Sequence, residues 1–229
     1  MQKFTLLLLS LVLLAPLGID LYLPTLPQIA EGLATPVSYI QTTIPLFLLI
    51  MGLGQLVAGP LVDNFGRKPI ALIGLALYIV GSIIAALAVN WPMFLLARLV
   101  QGTAVCCTAV VAFSGVRDRL NGDDAARAYG FLNGALNIVP ALAPLLGGIL
   151  ADAFGWRAPF LAVALLGAIS VAGLVTLLPK TIPHTPPAGF LSQLTLLTKP
   201  RLLAMYLVTV FGFGGPFVVF TYLSPLMTE

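Results

Sequence analysis

Long apolar stretches alternate with short polar connections along almost the whole chain. A helix crosses the hydrocarbon core of a bilayer, about 30 Å thick, with about 20 consecutive apolar residues. The stretches approach or reach that length, which predicts an all-α protein that crosses the membrane several times. The pattern predicts seven spans, at residues 4–22, 38–62, 69–89, 92–114, 128–150, 157–178 and 202–223.

The connections between the predicted spans differ in length and composition. The longest, at 179–201, is rich in proline and polar residues, as is typical of a linker. The connection at 115–127 carries charges of both signs and is predicted to be a solvated loop. We therefore predict a six-helix bundle at residues 1–178, a linker at 179–201, and a seventh span with the end of the chain at 202–229.

The first apolar stretch could also be a signal peptide, because Lys3 precedes it. The stretch continues through Leu17 to Tyr22 without a small-residue cleavage site, and further spans follow it. We interpret it as the first retained helix of the bundle.

The composition agrees with lipid as the main solvent. The chain is 59% hydrophobic and 8% charged, whereas soluble domains carry about 25% charged residues. Its net charge of +3 is small and scattered, so no nucleic-acid partner is expected. Cys106 and Cys107 are adjacent in an apolar run, and we interpret them as packing residues rather than a disulfide or metal site. The connections show no nucleotide-binding loop, catalytic triad or metal cluster, which argues against an enzyme, a bound cofactor or an ATP-driven pump.

Lysine and arginine collect in alternate connections, and cytoplasmic loops of membrane proteins carry an excess of both. With the N-terminus inside, Arg157 lies outside, Arg98 lies within a span, and the other nine of the eleven basic residues lie on the cytoplasmic side. Those nine are Lys3, Arg67, Lys68, Arg117, Arg119, Arg127, Lys180, Lys199 and Arg201. The distribution predicts a cytoplasmic N-terminus.

Two connections share one sequence pattern. Residues 59–67 read GPLVDNFGR and residues 148–157 read GILADAFGWR, so both contain G-x-L-x-D-x-F-G followed by an arginine. Three predicted helices separate the copies, and this odd number places them at opposite faces of the membrane. The pattern predicts an inverted repeat of three helices, here 1–89 and 92–178, an architecture of many secondary transporters.

The first copy contains residues suited to a gating loop. Glycines such as Gly59 let neighbouring helices approach closely, and Gly66 has the backbone freedom that a tight turn needs. Asp63 can face the positive end of a helix dipole. Arg67 and Lys68 can donate hydrogen bonds to the Asp63 carboxylate or to lipid phosphate. A tight turn with ordinary positive-inside anchoring is the alternative interpretation.

Four segments resemble motifs of the major facilitator superfamily and follow its order of helices. Residues 59–69, GPLVDNFGRKP, resemble the loop signature between its second and third helices, and residues 98–102, RLVQG, resemble its fourth-helix motif R-x-x-Q-G. Residues 17–27, LGIDLYLPTLP, resemble the first-helix motif of its twelve-helix drug:proton antiporters. Residues 143–148, APLLGG, resemble their fifth-helix motif, with valine and alanine where that motif has two further glycines. The combination resembles the bicyclomycin/chloramphenicol-resistance branch, Bcr/CflA.

This resemblance implies a transporter of twelve helices in two halves, of which the chain would supply the first half, the linker and the seventh helix. It implies that the proton gradient, without a cofactor, drives export of a small lipophilic substrate across the inner membrane. The missing C-terminal half would be a necessary partner, so we expect the chain to be inactive alone. A metabolite uniporter or symporter of the same fold, and a membrane fragment that acts only as a partner subunit, stay open as alternatives.

Asp20 and Arg98 are charged residues within predicted spans. Such residues cost about 2.5–3.5 kcal/mol at mid-helix and usually face a bundle interior. From the rise per residue, Asp20 lies about 6 Å, and Arg98 about 9 Å, from the outer edge of the core. We hypothesise that Asp20 carries the coupling proton, and that Arg98 changes its proton affinity or replaces the proton as its partner. A permanent structural pair, or snorkelling to the interface, is the alternative.

Further candidates lie on the fourth and fifth spans. Gln101, one turn from Arg98, could hydrogen-bond along the same face, with helix packing as the alternative. Asn133 and Asn137 stand four residues apart and could line a cavity or bond between helices. Prolines interrupt the backbone ladder of the fifth span and could form a hinge or a static kink. The antiporter-motif candidates there are Pro140, Pro144, Gly147 and Gly148.

Overall fold

The computed structural model describes residues 2–178, 199–200, 202–205 and 207–208. The chain divides into two compact units, Met1–Thr185 and Pro186–Glu229. The elements of the first unit are α1 (Gln2–Asp20), a 3-10 turn (Leu23–Thr25), α2 (Leu26–Gly32), α3 (Val37–Gln41), α4 (Thr43–Phe65), α5 (Arg67–Ala86), α6 (Trp91–Arg119), α7 (Gly122–Phe154) and α8 (Ala158–Leu177). The predicted all-α class is confirmed for the described residues.

Six stretches of the described chain are long and apolar enough to cross a bilayer. They correspond to the first six predicted spans and run Lys3–Gly32, Val37–Phe65, Arg67–Ala86, Trp91–Arg119, Gly122–Phe154 and Ala158–Leu177. The predicted multi-pass six-helix bundle is therefore confirmed. The predicted linker, 179–201, and seventh span, 202–223, lie outside the described residues except for 199–200, 202–205 and 207–208.

Helices α6 and α7 extend at both ends beyond the apolar stretches that predicted them. The connection at 115–127 is helical except for two residues, because α6 continues to Arg119 and α7 begins at Gly122. The prediction of a loop was wrong because hydropathy marks the apolar part of a helix and not its polar ends. Basic residues occupy the last turn of α6 and acidic residues the first turn of α7, where each sign interacts favourably with the helix dipole.

Helix α6 lies at the centre of the bundle and packs against α1, α4 and α5. The spans of α6 and α5 are 61% and 50% buried, whereas those of α4 and α7 are each 17% buried. Glycines let neighbours approach α6 closely, since a Cβ at Gly74 would lie 2.9 Å from Cys107 Cβ and one at Gly54 would lie 2.7 Å from Cys106 Sγ. Both cysteines are buried and unbridged, as small packing residues between helices.

Two turns of the bundle have the same backbone conformation. We call residues 63–68, between α4 and α5, the first turn, and residues 152–157, between α7 and α8, the second turn. Gly66 has φ 84° and ψ 165°, and Gly155 has φ 83° and ψ 166°. Each glycine N–H donates to the carbonyl oxygen four residues earlier, at 2.9 Å and 2.7 Å. Because a positive φ favours glycine, the shared pattern specifies the same helix ending twice.

The two turns lie at opposite ends of α6. Arg67 of the first turn forms an ion pair with Asp118, at the C-terminal end of α6. Trp156 of the second turn packs against Phe94, near the N-terminal end of α6, with ring centroids 6.5 Å apart. A helix of 29 residues is about 43 Å long. This placement is the one that an inverted repeat requires.

Candidate functional site

Arg98 lies in α6 with no exposed surface. Its guanidinium carbon lies over the ring of Tyr22 and over the ring of Phe47, 4.5 Å from each centroid. Its Nη1 donates a 2.6 Å hydrogen bond to Oε1 of Gln101. The cation is thus held by two aromatic faces and one neutral acceptor, which are weaker partners than a carboxylate.

A chain of hydrogen bonds leads from Arg98 through Gln101 into α5. Gln101 Nε2 donates to Ser82 Oγ at 2.7 Å, and Ser82 Oγ donates to the carbonyl oxygen of Tyr78 at 2.7 Å. Tyr78 Oη in turn donates to the carbonyl oxygen of Leu14 in α1 at 2.7 Å. The polar side chains that form these hydrogen bonds are all buried. The bonds therefore connect α6, α5 and α1 in the apolar interior.

Each named residue of the R-x-x-Q-G motif makes a different contact within the bundle. Arg98 supplies the cation and Gln101 its acceptor. Gly102 gives room to α4, because a Cβ there would lie 3.1 Å from the carbonyl oxygen of Phe47. A Cβ at Gly81 of α5 would lie 2.9 Å from Gln101 Cγ. We call the resulting group the central cluster, which consists of Arg98, Tyr22, Phe47, Gln101 and Ser82.

Asp20 is half-buried and is the last residue of α1. Neither of the ion pairs within the described ranges includes Asp20 or Arg98. Tyr22, two residues after Asp20, is the residue of this segment that contacts Arg98. Asp20 thus stands two residues from a ring that contacts Arg98, and within the described residues the two charges form no ion pair.

The first turn contains four of the five residues predicted for a gating loop, all except Gly59, and its basic residues have partners outside the turn. Within the described chain Arg67 forms its ion pair with Asp118 of α6 and not with Asp63, which is exposed. Lys68 Nζ donates to the carbonyl oxygen of Val175, near the end of α8, at 2.9 Å. The sequence predicted the Asp63 carboxylate or lipid phosphate as the partner of these cations; Asp118 reaches Arg67 because α6 continues past its predicted span to the turn.

The motif glycines differ in how closely other atoms approach them. A Cβ at Gly147 would overlap the carbonyl oxygen of Leu21, the residue directly after Asp20. A Cβ at Gly59 or Gly148 would meet no atom within 4 Å. Gly147 therefore marks a close contact between α7 and the end of α1, whereas the close approach predicted at Gly59 does not occur among the described residues.

The polar residues of α7 lie on its exposed face. The side-chain amides of Asn133 and Asn137 donate to carbonyl oxygens one turn earlier in the same helix, at 2.9 Å and 2.7 Å. Pro140 is exposed and Pro144 is half-buried, both within α7. In the part of the chain that the structure describes, no hydrogen bond or ion pair joins these residues to the central cluster.

The second turn packs into a group of aromatic rings. Trp156 lies 6.5 Å from Phe94 and 6.5 Å from Phe160, and the two phenylalanine rings are 5.5 Å apart. Tyr22 lies 5.5 Å from Phe160, so the packing of rings continues into the central cluster. Arg157 covers the Trp156 ring at 4.1 Å and donates to a carbonyl oxygen of the connection before α6 at 3.2 Å.

Comparison with known proteins assigns this arrangement to a family. The sequence profile of the Major Facilitator Superfamily matches residues 8–229. The chain belongs to the major facilitator superfamily. It is 37% identical over 189 residues to multidrug resistance protein MdtL of Escherichia coli O9:H4 (strain HS), and equally identical to the proteins of that name from Shigella boydii serotype 18 (strain CDC 3083-94 / BS512) and Escherichia coli (strain K12 / DH10B). Each match covers 82% of this chain and 48% of the relative, so the chain spans about half the length of these curated relatives.

The superfamily consists of transporters. The prediction of a multi-pass membrane protein of the transporter class, rather than an enzyme, is therefore confirmed at the level of the family. The resemblance seen in the four sequence motifs is confirmed by the same match.

Several residues of the site were not singled out by the motifs or by the charge pattern. Tyr22, Phe47 and Ser82 complete the central cluster, and Asp118 pairs with the first turn. Tyr22 stands inside the first-helix motif of the superfamily, which is the signal that the sequence contains for it. The other residues of the cluster belong to apolar spans, and only the packing of helices brings them to Arg98.

Proposed function

We propose that the chain forms the N-terminal half of a proton-coupled exporter of small lipophilic compounds in the bacterial inner membrane. The observation that carries the proposal is Arg98, a charge without exposed surface in a membrane span, beside the end of the helix that carries Asp20. Charged groups within spans mark ion pathways in transporters. Relatives named multidrug resistance proteins support a drug as the exported compound.

In this proposal Asp20 takes up and releases the coupling proton. Removal from water favours the neutral form of a carboxyl group, and a nearby guanidinium favours the charged form. A movement that brings Asp20 to Arg98 therefore releases the proton, and a movement that separates them restores proton uptake. Arg98 keeps its own charge throughout, because arginine does not lose its proton in proteins.

The exposed faces of α4 and α7 are the surfaces that a second half would cover. These two spans are the least buried of the bundle, at 17% each. The relatives are about twice as long as the matched segment, which is consistent with a second half of similar size. Asn133 and Asn137, exposed on α7, would then line a cavity between the halves. A cavity with mostly apolar walls and few polar groups suits lipophilic compounds.

The basic residues support a cytoplasmic N-terminus. The end of the bundle with the first turn holds Arg67, Lys68, Arg117 and Arg119, whereas the second turn holds Arg157. Cytoplasmic ends of membrane helices carry the excess of lysine and arginine. We therefore place the first turn at the cytoplasm and the second turn at the outer face.

Transport in everted membrane vesicles tests the proposal. Bacteria that lack their own multidrug exporters express the chain alone, or together with the C-terminal half of the E. coli relative, and uptake of a lipophilic dye is followed. We expect no transport by the chain alone. We expect transport by the pair, with the two halves co-purifying, and we expect an ionophore that collapses the pH gradient to stop it. Transport by the chain alone, or halves that do not associate, contradicts the half-transporter proposal.

Asp20→Asn is the variant that tests proton coupling, because it removes the titrating group with little change in volume. Asp152→Asn, an exposed aspartate of the second turn, is the matched control. We expect gradient-driven transport to be lost in the first variant and kept in the second. Gradient-driven transport that Asp20→Asn leaves unchanged removes Asp20 from the mechanism.

A further inference from the structure

Two nitrogens of Arg98 are buried without a hydrogen-bond partner among the described residues. They are Nε and Nη2. These atoms form one edge of the guanidinium, the fork that a carboxylate binds through two parallel hydrogen bonds. The remaining nitrogen, Nη1, already donates to Gln101. The central cluster thus satisfies one side of the cation and leaves its carboxylate-binding edge unpaired.

Two aromatic rings contact the Arg98 guanidinium in this conformation, in which its Nε–Nη2 edge is unpaired among the described residues. The rings of Tyr22 and Phe47 each lie under the guanidinium carbon of Arg98 at 4.5 Å. A cation–π contact is strongest where the site is desolvated. The rings therefore offset part of the cost of burying the charge, and they do so without occupying either unpaired nitrogen.

The ring of Tyr22 is itself held in one orientation. Its Oη lies 2.9 Å from Oγ1 of Thr43, and Thr43 Oγ1 donates to the carbonyl oxygen of Ile40 at 2.6 Å. Because the Thr43 proton is used there, Tyr22 is the donor of the first bond. The ring also packs 5.5 Å from the ring of Phe160. Held at its hydroxyl and against a second ring, Tyr22 presents one face to Arg98.

Tyr22 and Asp20 stand on one short segment at the end of α1. Leu21 lies between them, and its carbonyl oxygen is the atom that approaches Gly147 of α7. A displacement of this segment therefore moves the aromatic ring and the carboxyl group together. The contact at Gly147 connects that displacement to α7, which contains prolines in its interior.

We propose that Tyr22 and Phe47 are positioning residues that hold Arg98 with its Nε–Nη2 edge oriented to accept a carboxylate. The proposal rests on the proposed function and adds a binding site to it. The rings keep the cation in place while the edge is unpaired, and the edge accepts a carboxylate in another conformation. That carboxylate could be the side chain of Asp20 or the carboxylate group of a bound compound.

The 229-residue chain in lipid nanodiscs, labelled with 15N-arginine, reports on this arrangement through the Nε–Hε signal of Arg98. Arg98→Lys identifies the signal by its loss. We expect the signal to be shifted upfield by the ring currents and to exchange slowly with solvent. Tyr22→Phe keeps the ring but loses the hydroxyl bond that orients it, so it should reduce the upfield shift about as much as Thr43→Val and less than Tyr22→Leu. Tyr22→Leu and Phe47→Leu should each lose part of the shift and speed the exchange.

Phe94→Leu is the matched control for these leucine variants. Phe94 is buried and packs 6.4 Å from Tyr22, but its ring is not one of the two that lie under Arg98. This variant should keep the upfield shift. Thr43→Val removes the acceptor of the Tyr22 hydroxyl without changing either ring, and should reduce the shift even where a leucine variant does not fold. An Arg98 signal that neither Tyr22→Leu nor Thr43→Val changes overturns the positioning role.

Benzoate added to the same samples tests the carboxylate site. We expect a saturable downfield shift of the Arg98 Hε signal, with an affinity about tenfold weaker in Tyr22→Leu. Asp20→Asn separates the two sources of carboxylate. A change of the Arg98 signal in this variant before benzoate is added supports Asp20, and a benzoate response that persists in it supports a bound compound. An Arg98 signal that changes neither in Asp20→Asn nor on addition of benzoate overturns the carboxylate site. Dye transport in vesicles tests the proposed function independently of this result.

Discussion

The two turns of the bundle share one backbone and differ in what anchors them. Gly66 and Gly155 have the same φ and ψ within about a degree, yet the following residue is Arg67 in the first turn and Trp156 in the second. Arg67 forms an ion pair at the C-terminal end of α6, and Trp156 packs among rings near its N-terminal end. The repeated pattern therefore specifies the path of the chain, and the next position specifies the kind of contact with α6.

The two anchors differ in their energetics. The side chains of Arg67 and Asp118 are 12% and 34% exposed, so the ion pair keeps part of its hydration. Trp156 is 7% exposed and needs no counter-charge. An ion pair that is partly hydrated gains less from its partner than a large buried ring gains from packing. We expect the second turn to be anchored more strongly than the first.

Trp156→Ala should have the largest effect. Removal of a buried aromatic side chain costs about 3–5 kcal/mol, and Trp156 contacts both Phe94 and Phe160. Thermal unfolding in detergent, followed by circular dichroism, measures the loss. Phe154→Ala is the control, because that ring is 77% exposed and its loss should change stability by about 0.5 kcal/mol or less. Equal losses in both variants would show that the aromatic packing does not anchor the turn.

Arg67→Gln should have a smaller effect, of about 1–3 kcal/mol, between the values for exposed pairs and for broken buried pairs. The same unfolding experiment measures it, and a double-mutant cycle with Asp118→Asn isolates the energy of the pair. Arg117 also pairs with Asp118, at 3.5 Å, but its side chain is 68% exposed. Arg117→Gln is therefore the control and should cost less than about 1 kcal/mol. A larger loss in this variant than in Arg67→Gln would reverse the assignment of the anchor.

Gly66→Ala and Gly155→Ala should each cost about 1–3 kcal/mol, because a φ near 84° with a ψ near 165° is a conformation that essentially only glycine adopts. Gly66 is buried and Gly155 is exposed, so the first variant should be the more costly of the two. Gly134→Ala, in the middle of α7 with no atom within 4 Å of the added Cβ, is the control. It should be neutral or stabilising, since alanine favours helix by up to about 1 kcal/mol. Denaturation midpoints that do not move in either turn variant would contradict the shared backbone conformation.

Asp63→Cys and Asp152→Cys should change stability least, because both side chains are exposed. In a background with Cys106→Ala and Cys107→Ala, a membrane-impermeant maleimide should label residue 152 in intact spheroplasts. Residue 63 should react only after the membrane is opened. Labelling of both positions from one side would overturn the inverted arrangement, whatever the energies of the two anchors.

Much of the fold could be predicted because it depends on local properties of the chain. Apolar runs of sufficient length predicted six described spans, since a helix is the structure that satisfies its own backbone groups in lipid. The glycines of G-x-L-x-D-x-F-G predicted matching turns, because a positive φ is a property of one residue. Helix ends were predicted less well. The extension of α6 to Arg119 was not predicted, because polar residues continue this helix beyond its apolar part.

By itself, the sequence determined the solvent of this protein, its helical spans, its repeated turns and the charges that lie within spans. The tertiary structure alone decided which residues contact the charged side chains, both in the spans and in the turns. Asp118 rather than Asp63 receives Arg67, and the rings of Tyr22 and Phe47 rather than a carboxylate meet Arg98. The physical reason is that contacts between helices depend on how far each helix extends, how it is rotated and how closely glycines let it approach. Those quantities are set by the packing of the whole bundle, and no single segment of the chain contains them.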